Sequence, residues 1–361
     1  MTSLIASLRE RLTPSASSTD LSSTTPLKGS TFSTAKHPQG LFTPTNPEVD
    51  GDDCLQDCSN CTIHLPKKWS IDETDKLYGH VKGWSRHLLV ATGKADWVRD
   101  VEDEKDSVME AMGKHGGNVK DGRLMLSASN IHVPDYPGHD QTEVYGRDRP
   151  TTVLLLPAFK FVDNVTPRHV PELIESVINT ASTNTSALQT SSGSVTPPSD
   201  DALSPDAAPS LPAGLSIRNC PHKYLVLLCS QGTRDARCGQ SAPLIRRELE
   251  RQLRPLGLFR DLDDTRPGGV GIYFISHVGG HKYSANMLIY RKEDSHRTVS
   301  EQVKGVDGEL DGQAAQCIWL ARVRPEDCEN IVRFTILQGK VVKPESQLRG
   351  GFDRGKSLVS W

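Results

Sequence analysis

The chain has 361 residues, a formal net charge of −3 and a hydrophobic content of 36%. This length is typical of about two domains, and the near-neutral charge does not favour nucleic acid as a partner. No apolar stretch approaches the roughly 20 residues that a membrane-spanning helix needs. The eight cysteines occur without a recognisable secretory signal, which favours metal binding or redox chemistry over a disulfide framework.

Residues 1–48 are predicted to be a disordered N-terminus, because Ser, Thr and Pro dominate residues 15–46 and large apolar side chains are few. Residues 1–13 suit a short amphipathic helix that faintly resembles a mitochondrial presequence. A frayed terminus is the alternative.

Cys54, Cys58 and Cys61 follow, with C-x3-C-x2-C spacing. This spacing is compatible with a metal site, for which His64 is a candidate fourth ligand, or with a redox-active thiol pair. Structural cysteines without chemistry are the third interpretation. Zinc modules usually supply two such clusters and the sequence has one here, so the three interpretations stay open.

A first folded unit is predicted over residues 49–179, with the element order β-α-β-β-α. Its apolar runs are too continuous for half-exposed strands and therefore indicate a buried sheet, with strands at 87–93, 123–129 and 151–159. Asp100 is the predicted cap of a helix that begins at Val101, and a second helix closes the unit. Residues 180–215 are poor in apolar side chains and are predicted to be a flexible linker.

A second folded unit is predicted over residues 216–343, followed by a tail over residues 344–361. Its main helix is expected to be capped by Ser241 and to end near Leu253. Strands are expected at KYLVLLC, GIYFISH, ANMLIYR and QCIWLARV, and the middle two are predicted to pair through the HVGGH turn. A helix over residues 327–337 closes this unit.

The two units resemble each other in sequence. VTPRHVPELI (165–174) aligns in register with VRPEDCENIV (323–332), and the strands that precede them play similar roles. A repeat of this length suggests a duplication. The first unit lacks a counterpart of the two cysteines and two histidines that follow strands of the second unit, so it is predicted to be a scaffold or a partner surface.

Cys229 and Cys238 follow one predicted buried strand, and His277 and His281 follow another. Neighbouring strands would bring both pairs to the same edge of a sheet, which is the arrangement that a metal site needs. Thiolates and imidazoles bind zinc, copper or iron–sulfur clusters. The eight residues between the two cysteines make a wider loop than structural zinc usually has, whereas a larger two-iron cluster can take both sulfurs on one iron. Four unrelated side chains are the alternative.

The residues around this quartet are predicted to shape the site or to dock a partner. Gly279 and Gly280 would allow the turn to wrap around a metal. The charged neighbours would offset cluster charge, orient a ligand or dock a redox partner, and a solvated ion-paired loop is the alternative. These neighbours are Arg234, Asp235, Arg237 and Lys282.

The motifs CSQGTRDARCG, ISHVGGHKYSANMLIY, IWLARVRPEDCENIV and LRGG resemble those of the sucrase/ferredoxin-like family, and more narrowly its fungal group of actin patches distal and altered inheritance of mitochondria proteins. The resemblance implies an α/β fold with two thioredoxin-like units in tandem, of which the C-terminal one is a thioredoxin-like ferredoxin domain. It also implies a 2Fe–2S cluster bound by two cysteines and two histidines, here Cys229, Cys238, His277 and His281.

The predicted function is one-electron transfer in redox homeostasis, as a carrier or as a reductase component with an external redox partner. Two thiolates cancel the charge of an oxidised cluster core, so electron uptake should be easier than with four thiolates and should draw a proton to a histidine. No G-x-G-x-x-G motif follows a strand, and whether the chain is an enzyme by itself stays open. A thiol oxidoreductase that uses the N-terminal cysteines and a structural zinc-bound interaction module are the alternatives.

The chain ends in Val359-Ser360-Trp361. This ending resembles the C-terminal signal of client proteins of the cytosolic iron–sulfur targeting machinery, and Trp361 is its candidate key residue. A tryptophan that packs onto the fold is the alternative. The signal favours a cytoplasmic location, and the N-terminal helix makes the mitochondrion the second choice.

Overall fold

The computed structural model describes residues 24–27, 29–135, 145–146, 148–188, 211–292 and 312–361, with the backbone alone at position 281. Within these residues, fourteen strands form one mixed sheet. The strands are Thr24–Pro26 (β1), Ser33–Ala35 (β2), Arg86–Ala91 (β3), Leu124–Ser129 (β4), Thr151–Leu156 (β5), Lys160–Val165 (β6), Ser216–Asn219 (β7), Tyr224–Cys229 (β8), Phe259–Arg260 (β9), Val270–Ile275 (β10), Met287–Lys292 (β11), Ala314–Leu320 (β12), Leu348–Asp353 (β13) and Leu358–Val359 (β14).

The helices of the described part pack against this sheet or connect its strands. They are Pro38–Leu41 (α1), Pro47–Asp50 (α2), Val108–His115 (α3), Val170–Leu173 (α4), Ala236–Leu253 (α5), Cys328–Asn330 (α6) and Pro344–Gln347 (α7). Wider π-helical turns at Ile174–Ile178 and Ile331–Ile336 extend α4 and α6. Among the described residues, no helix combines the length and the apolar character that a membrane span requires.

The strand order is β1-β2-β14-β13-β12-β11-β8-β10-β4-β3-β5-β6-β7, with β9 beside β10. Two segments of this order share one pattern. In the first, β3 runs parallel to β4 and antiparallel to β5, which pairs with β6. In the second, β8 runs parallel to β10 and antiparallel to β11, which pairs with β12. The α/β class is therefore confirmed, and the two units have the same strand connectivity.

The two segments meet where β4 and β10 pair antiparallel, at Ser129 and Ile275. Side chains reinforce this short contact, because the Ser129 hydroxyl donates to the Phe274 carbonyl oxygen (2.9 Å) and the Phe274 amide donates to the Asn130 side chain (2.7 Å). Every residue of β3, β8, β10 and β11 is buried, as the continuous apolar runs predict for strands covered on both faces.

Residues 29–48 are ordered, in contrast to the prediction of disorder. Phe32, Leu41 and Phe42 are buried, and β2 pairs in parallel with β14. A few apolar anchors in a polar stretch barely change its average composition, which is why composition indicated disorder. The predicted tail is likewise part of the sheet, because residues 344–361 contain β13 and β14. Residues 1–23 lie outside the described part.

The predicted pairing of GIYFISH with ANMLIYR is wrong, because β8 lies between β10 and β11. The crossover through α5 places β10 parallel to β8 on one side, and β11 takes the other side. The main helix begins at Ala236 under an Asp235 cap, and Ser241 is buried inside it. Asp100 caps a short 3-10 turn at Val101–Asp103.

The predicted linker is ordered at its start. Residues 180–188 are described, and within them Asn184 is buried and its amide donates to the Ser85 carbonyl oxygen at 2.9 Å. Residues 189–210 lie outside the described part, so the prediction of flexibility there stays a prediction.

Candidate metal centre

Strands β8 and β10 bring the first cysteine and the first histidine together. Cys229 is the last residue of β8 and pairs with Ile275, the last residue of β10. His277 follows two positions later, and its Nδ1 lies 4.0 Å from the Cys229 sulfur. The His277 amide donates to the side-chain oxygen of Gln231 (2.8 Å), which fixes the backbone after β10. The predicted meeting of strand ends at one edge is thus seen for these two residues.

Cys238 reaches the same place from the first turn of α5. Asp235 caps the helix by accepting from the Arg237 amide (3.0 Å). The loop that returns from β8 is tight, since a Cβ added at Gly239 would lie 2.9 Å from the Gly232 Cα. Only glycine allows that approach, and the approach carries Cys238 back to Cys229.

The two thiols are hydrogen-bonded to each other in a buried setting. The bond from Cys229, together with burial, raises the pKa of Cys229 well above its usual range. The same bond lowers the pKa of Cys238, although burial acts in the opposite direction. The Ser284 hydroxyl has Cys238 as its neighbour and no other hydrogen-bonding partner among the described residues. The mutual hydrogen bond therefore favours ionisation of Cys238 before that of Cys229.

The loop between the two histidines takes a conformation that glycine favours. Gly279 and Gly280 have φ values of +91° and +70°, so the predicted use of positive φ in the HVGGH turn is confirmed. The backbone of His281 begins a 3-10 turn that ends at Tyr283. The side chain of His281 lies outside the described part of the chain.

Arg349, from the LRGG sequence of β13, supports this loop and was not predicted as a site residue. Its guanidinium donates to the Gly279 carbonyl oxygen (2.9 Å) and to the Asn286 side chain (2.7 Å), and it lies 4.4 Å from the Trp319 ring. The residue is 3% exposed and forms no ion pair among the described residues. Burial lowers its pKa to about 10, and its electrostatic interactions with Tyr283 and Cys229 act in the opposite direction. Nothing in the sequence around Arg349 indicates that this arginine is buried beside the loop between the two histidines.

The described side chains show three members of the predicted quartet near one another. Within the described residues, no group of three or more His, Cys, Asp or Glu side chains is placed as around a single metal ion. The described side chains include those of Cys229, Cys238 and His277, but not that of His281. The described geometry thus consists of a contacting thiol pair and one imidazole.

The charged neighbours hold the loops in place. Asp235 pairs with Arg237 at 2.7 Å, and Arg237 also donates to the Ser70 carbonyl oxygen. Arg234 donates to the Arg99 carbonyl oxygen at 3.1 Å. Lys282 pairs with Asp75 in a contact on the surface. These contacts favour the ion-paired interpretation for these residues, and docking of a partner stays a prediction.

The first unit contacts the loop that follows β8, and its role as a scaffold or a partner surface stays a prediction. The Ser230 hydroxyl donates to the Ala95 carbonyl oxygen (2.6 Å), and the Thr233 amide donates to the Asp96 carboxylate (3.1 Å). Ala91 ends β3 as Cys229 ends β8, so the first unit has no thiol at the corresponding position.

The N-terminal cysteines lie on an arm that crosses the second unit. Cys54 is buried against Phe334 and Val342, as a structural cysteine would be. Cys58 and Cys61 lie beside α5, where burial raises the pKa of each thiol. His64 pairs with Glu326 at 2.6 Å, so a metal site with this histidine has no support in the described contacts.

Trp361 packs onto the fold. Its ring lies 4.5 Å from the Trp84 ring, and its backbone oxygen accepts from the Thr34 hydroxyl at 2.5 Å. Val359 and Ser360 before it are buried. This packing supports the alternative that the sequence left open, and the targeting signal stays a prediction.

Comparison with known proteins agrees with the motifs. The sucrase/ferredoxin-like family model matches residues 77–350, so the chain belongs to this family. The chain is 26% identical to Actin patches distal protein 1 of Saccharomyces cerevisiae over 285 residues, which cover 77% of each protein. It is 35% identical to Altered inheritance of mitochondria protein 32 of Clavispora lusitaniae over 122 residues, or 34% of this chain and 33% of that protein. No solved structure matches the chain.

Proposed function

We propose that this protein is a one-electron carrier whose 2Fe–2S cluster is bound by Cys229, Cys238, His277 and His281. The observation that carries this proposal is the buried pair of contacting thiols with the His277 imidazole 4.0 Å from the Cys229 sulfur. Membership of the sucrase/ferredoxin-like family supports it.

The chemistry of the described donors fits such a cluster. Soft thiolates and a borderline imidazole are the ligands that iron–sulfur clusters take, including the mixed sulfur and nitrogen sets in which two histidines replace two cysteines. Metal binding requires the loss of the thiol protons, and the hydrogen bond from Cys229 lowers the pKa of Cys238. The cluster, when bound, would supply one-electron chemistry at a site enclosed by protein.

The chain supplies a fixed positive charge beside these donors. Arg349 is buried and forms no ion pair with a carboxylate in the described part, and it lies close enough to Cys229 for a thiolate there to raise the arginine pKa. A buried charge is stable only when it is compensated. Arg349 would therefore stabilise the thiolates and favour electron uptake. An imidazole nitrogen of His277 or His281 would accept the accompanying proton.

The fold is the second part of the proposal. Each unit has a parallel β-α-β half followed by an antiparallel β-β-α half, in the orders β4-β3-β5-β6 and β10-β8-β11-β12. This connectivity suits two thioredoxin-like units in tandem, with the C-terminal one as the ferredoxin domain. The thioredoxin-like assignment would be tested by comparison with an experimental structure of the chain.

A redox partner protein is implied, since the chain has no G-x-G-x-x-G motif after a strand for a nucleotide cofactor of its own. A cytoplasmic location with loading by the cytosolic iron–sulfur targeting machinery is proposed from the C-terminal sequence. The names of several relatives refer to mitochondria, which keeps the mitochondrion as the alternative. Imaging of an N-terminally and an internally tagged protein would distinguish the two compartments.

Anaerobic purification followed by visible and EPR spectroscopy tests the cluster. We expect coloured protein with equal amounts of iron and acid-labile sulfide, and an EPR signal after reduction by one electron. His281→Ala should lose or alter the signal, whereas His115→Ala, at the end of α3, should not. Colourless protein with stoichiometric zinc would instead support the zinc-bound module.

A further inference from the structure

Cys58 and Cys61 flank a turn whose geometry suits a disulfide. Ser59 and Asn60 form the turn between them. The first and last Cα atoms of such a turn lie within about 7 Å of each other, and disulfides span Cα separations of roughly 4.4 to 6.8 Å. Both cysteines are free thiols in this structure.

The two thiols contact opposite ends of one ion pair on α5. The guanidinium Nη2 of Arg251 lies 3.7 Å from the Cys58 sulfur and 2.6 Å from the Glu248 carboxylate. Cys61 hydrogen-bonds to the same carboxylate. Burial acts to raise the Glu248 pKa, but Arg251 and, to a smaller extent, Cys61 lower it. The Glu248 side chain is fully buried, whereas that of Arg251 is 44% exposed. The ion pair therefore holds both thiols against the helix.

We propose that Cys58 and Cys61 form a dithiol–disulfide site that exchanges with small disulfides such as oxidised glutathione. The Cys58 thiolate attacks one sulfur of the glutathione disulfide, forms a mixed disulfide and releases one reduced glutathione. Cys61 then attacks the Cys58 sulfur and releases the second. The two protein thiols are oxidised to one disulfide while one glutathione disulfide is reduced to two thiols, and the two protein protons pass to the two departing thiolates.

The surroundings assign the two roles. Cys58 is the more exposed thiol. Burial and the neighbouring Glu329 carboxylate raise its pKa, whereas hydrogen bonds from the Asn60 amide and from Arg251 act in the opposite direction and favour its thiolate. Cys61 is 8% exposed and donates to the Ile63 carbonyl oxygen (3.2 Å). Cys58 is therefore the attacking residue, and Cys61 is the resolving one, with the Glu248 carboxylate beside its proton. Burial raises both thiol pKa values, so exchange should accelerate as the pH rises.

This site is separate from the candidate metal centre. Cys238 lies on the first turn of α5 and Arg251 near its end, thirteen residues further along the chain. At 1.5 Å per residue the two positions are about 20 Å apart. Loss of one site would leave the other intact, so failure of this proposal and failure of the cluster proposal can be distinguished.

Incubation of the full-length protein in glutathione buffers of defined ratio, followed by peptide mass mapping, tests the proposal. We expect the peptide with Cys58 and Cys61 to lose two hydrogen masses as the proportion of oxidised glutathione rises. Cys61→Ser should accumulate a glutathione adduct at Cys58, whereas Cys58→Ser should leave Cys61 largely free. The iron content should not change in either variant.

Arg251→Gln should slow adduct formation on the Cys61→Ser background, by up to about tenfold if the thiol pKa rises by one unit. Arg247→Gln, at an exposed arginine of the same helix, is the matched control. Thiols that stay reduced in every buffer would overturn the proposal. A disulfide between Cys61 and Cys328, a buried thiol of α6 that interacts electrostatically with Cys61, would overturn it as well. Equal adduct formation in the two serine variants would overturn the assigned roles.

Discussion

Arg349 donates a hydrogen bond of 2.9 Å to the carbonyl oxygen of Gly279, inside the loop that separates the two histidines of the site. The same guanidinium occupies the space above Gly280, where an added Cβ would lie 2.5 Å from Nη2. The final part of the chain thus determines the shape of a loop about 70 residues earlier. The buried Arg349 guanidinium therefore both fixes the conformation of that loop and places a positive charge beside it.

Replacement of Arg349 should change the redox potential of the proposed cluster as well as the stability of the fold. Arg349→Gln removes the positive charge, so the midpoint potential should fall. Arg349→Lys keeps a positive charge, so its midpoint potential should fall less. Each variant loses directed hydrogen bonds and should destabilise the fold by about 1–3 kcal/mol. Potentiometry and urea unfolding measure the two effects.

The matched control is Arg354→Lys. Arg354 is also buried, follows the opposite end of β13 and donates to the Ala314 carbonyl oxygen at 3.0 Å. The Arg354→Lys variant should be less stable than the native protein but should have the same midpoint potential. Equal potentials for the Arg349 and Arg354 variants would show that Arg349 contributes structure alone.

Gly280→Ala should destabilise the loop more than Gly279→Ala. Both positions have positive φ, which costs an alanine about 1–2 kcal/mol. A Cβ at Gly279 meets no atom within 4 Å, whereas a Cβ at Gly280 collides with the Arg349 guanidinium. Differential scanning fluorimetry of the metal-free variants measures the difference. A smaller loss for Gly280→Ala would mean that Arg349 moves away without cost.

If the proposed cluster is bound, the midpoint potential should fall as the pH rises above the pKa of the histidine ligand in the oxidised state. His277 and His281 would hold the proton that accompanies electron uptake, because a reduced centre would make their imidazoles more basic. His277→Cys should lower the potential and flatten this dependence. Redox titration between pH 6 and pH 10 is the measurement, and a flat curve for the native protein would refute the coupling.

Two buried histidines should make the fold less stable in acid. His87 contacts the Tyr290 hydroxyl (3.1 Å) and His222 contacts the Tyr273 hydroxyl (3.1 Å). Burial lowers their pKa values to about 3 and about 4, whereas unfolded histidine titrates near 6.5. The unfolded chain binds the extra protons, so stability is complete above about pH 6.5 and falls below it, by about 2 kcal/mol for each histidine at pH 5.

Urea unfolding at pH 7 and pH 5 measures this loss. His87→Gln should reduce the difference between the two free energies of unfolding by about half, because one of the two histidines no longer titrates. His115→Ala, at the end of α3, should not change it. An unchanged difference in His87→Gln would show that His87 accepts its proton in the folded state.

The sequence predicted those features that depend on local pattern. Continuous apolar runs predicted β3, β8 and β10. Because neighbouring strands end at the same edge of a sheet, the sequence also predicted that Cys229 lies near His277. Strand pairing was harder, because nothing local shows that β8 separates β10 from β11. The apolar anchors near the N-terminus were missed because their partner is β14, at the other end of the chain.

Site residues that act through a neighbour were also missed. The quartet stood out because its residue types bind metals, whereas Arg349 is one arginine among many until its burial is known. Ser284 and Asn286 were missed for the same reason. They lie just before β11, and the pairing of β11 with β8 brings Ser284 to Cys238 and Asn286 to the histidine loop. Asp235 was predicted near the site, but its role as the cap of α5 depends on where that helix begins.

The pairing of β2 with β14 has a consequence for biosynthesis. The Thr34 hydroxyl holds the backbone of Trp361, 327 positions away in the sequence. The ribosome synthesises the chain from its N-terminus, so β2 must remain without this strand partner until β14 has been synthesised. A reporter fused directly after Trp361 would crowd this late pairing.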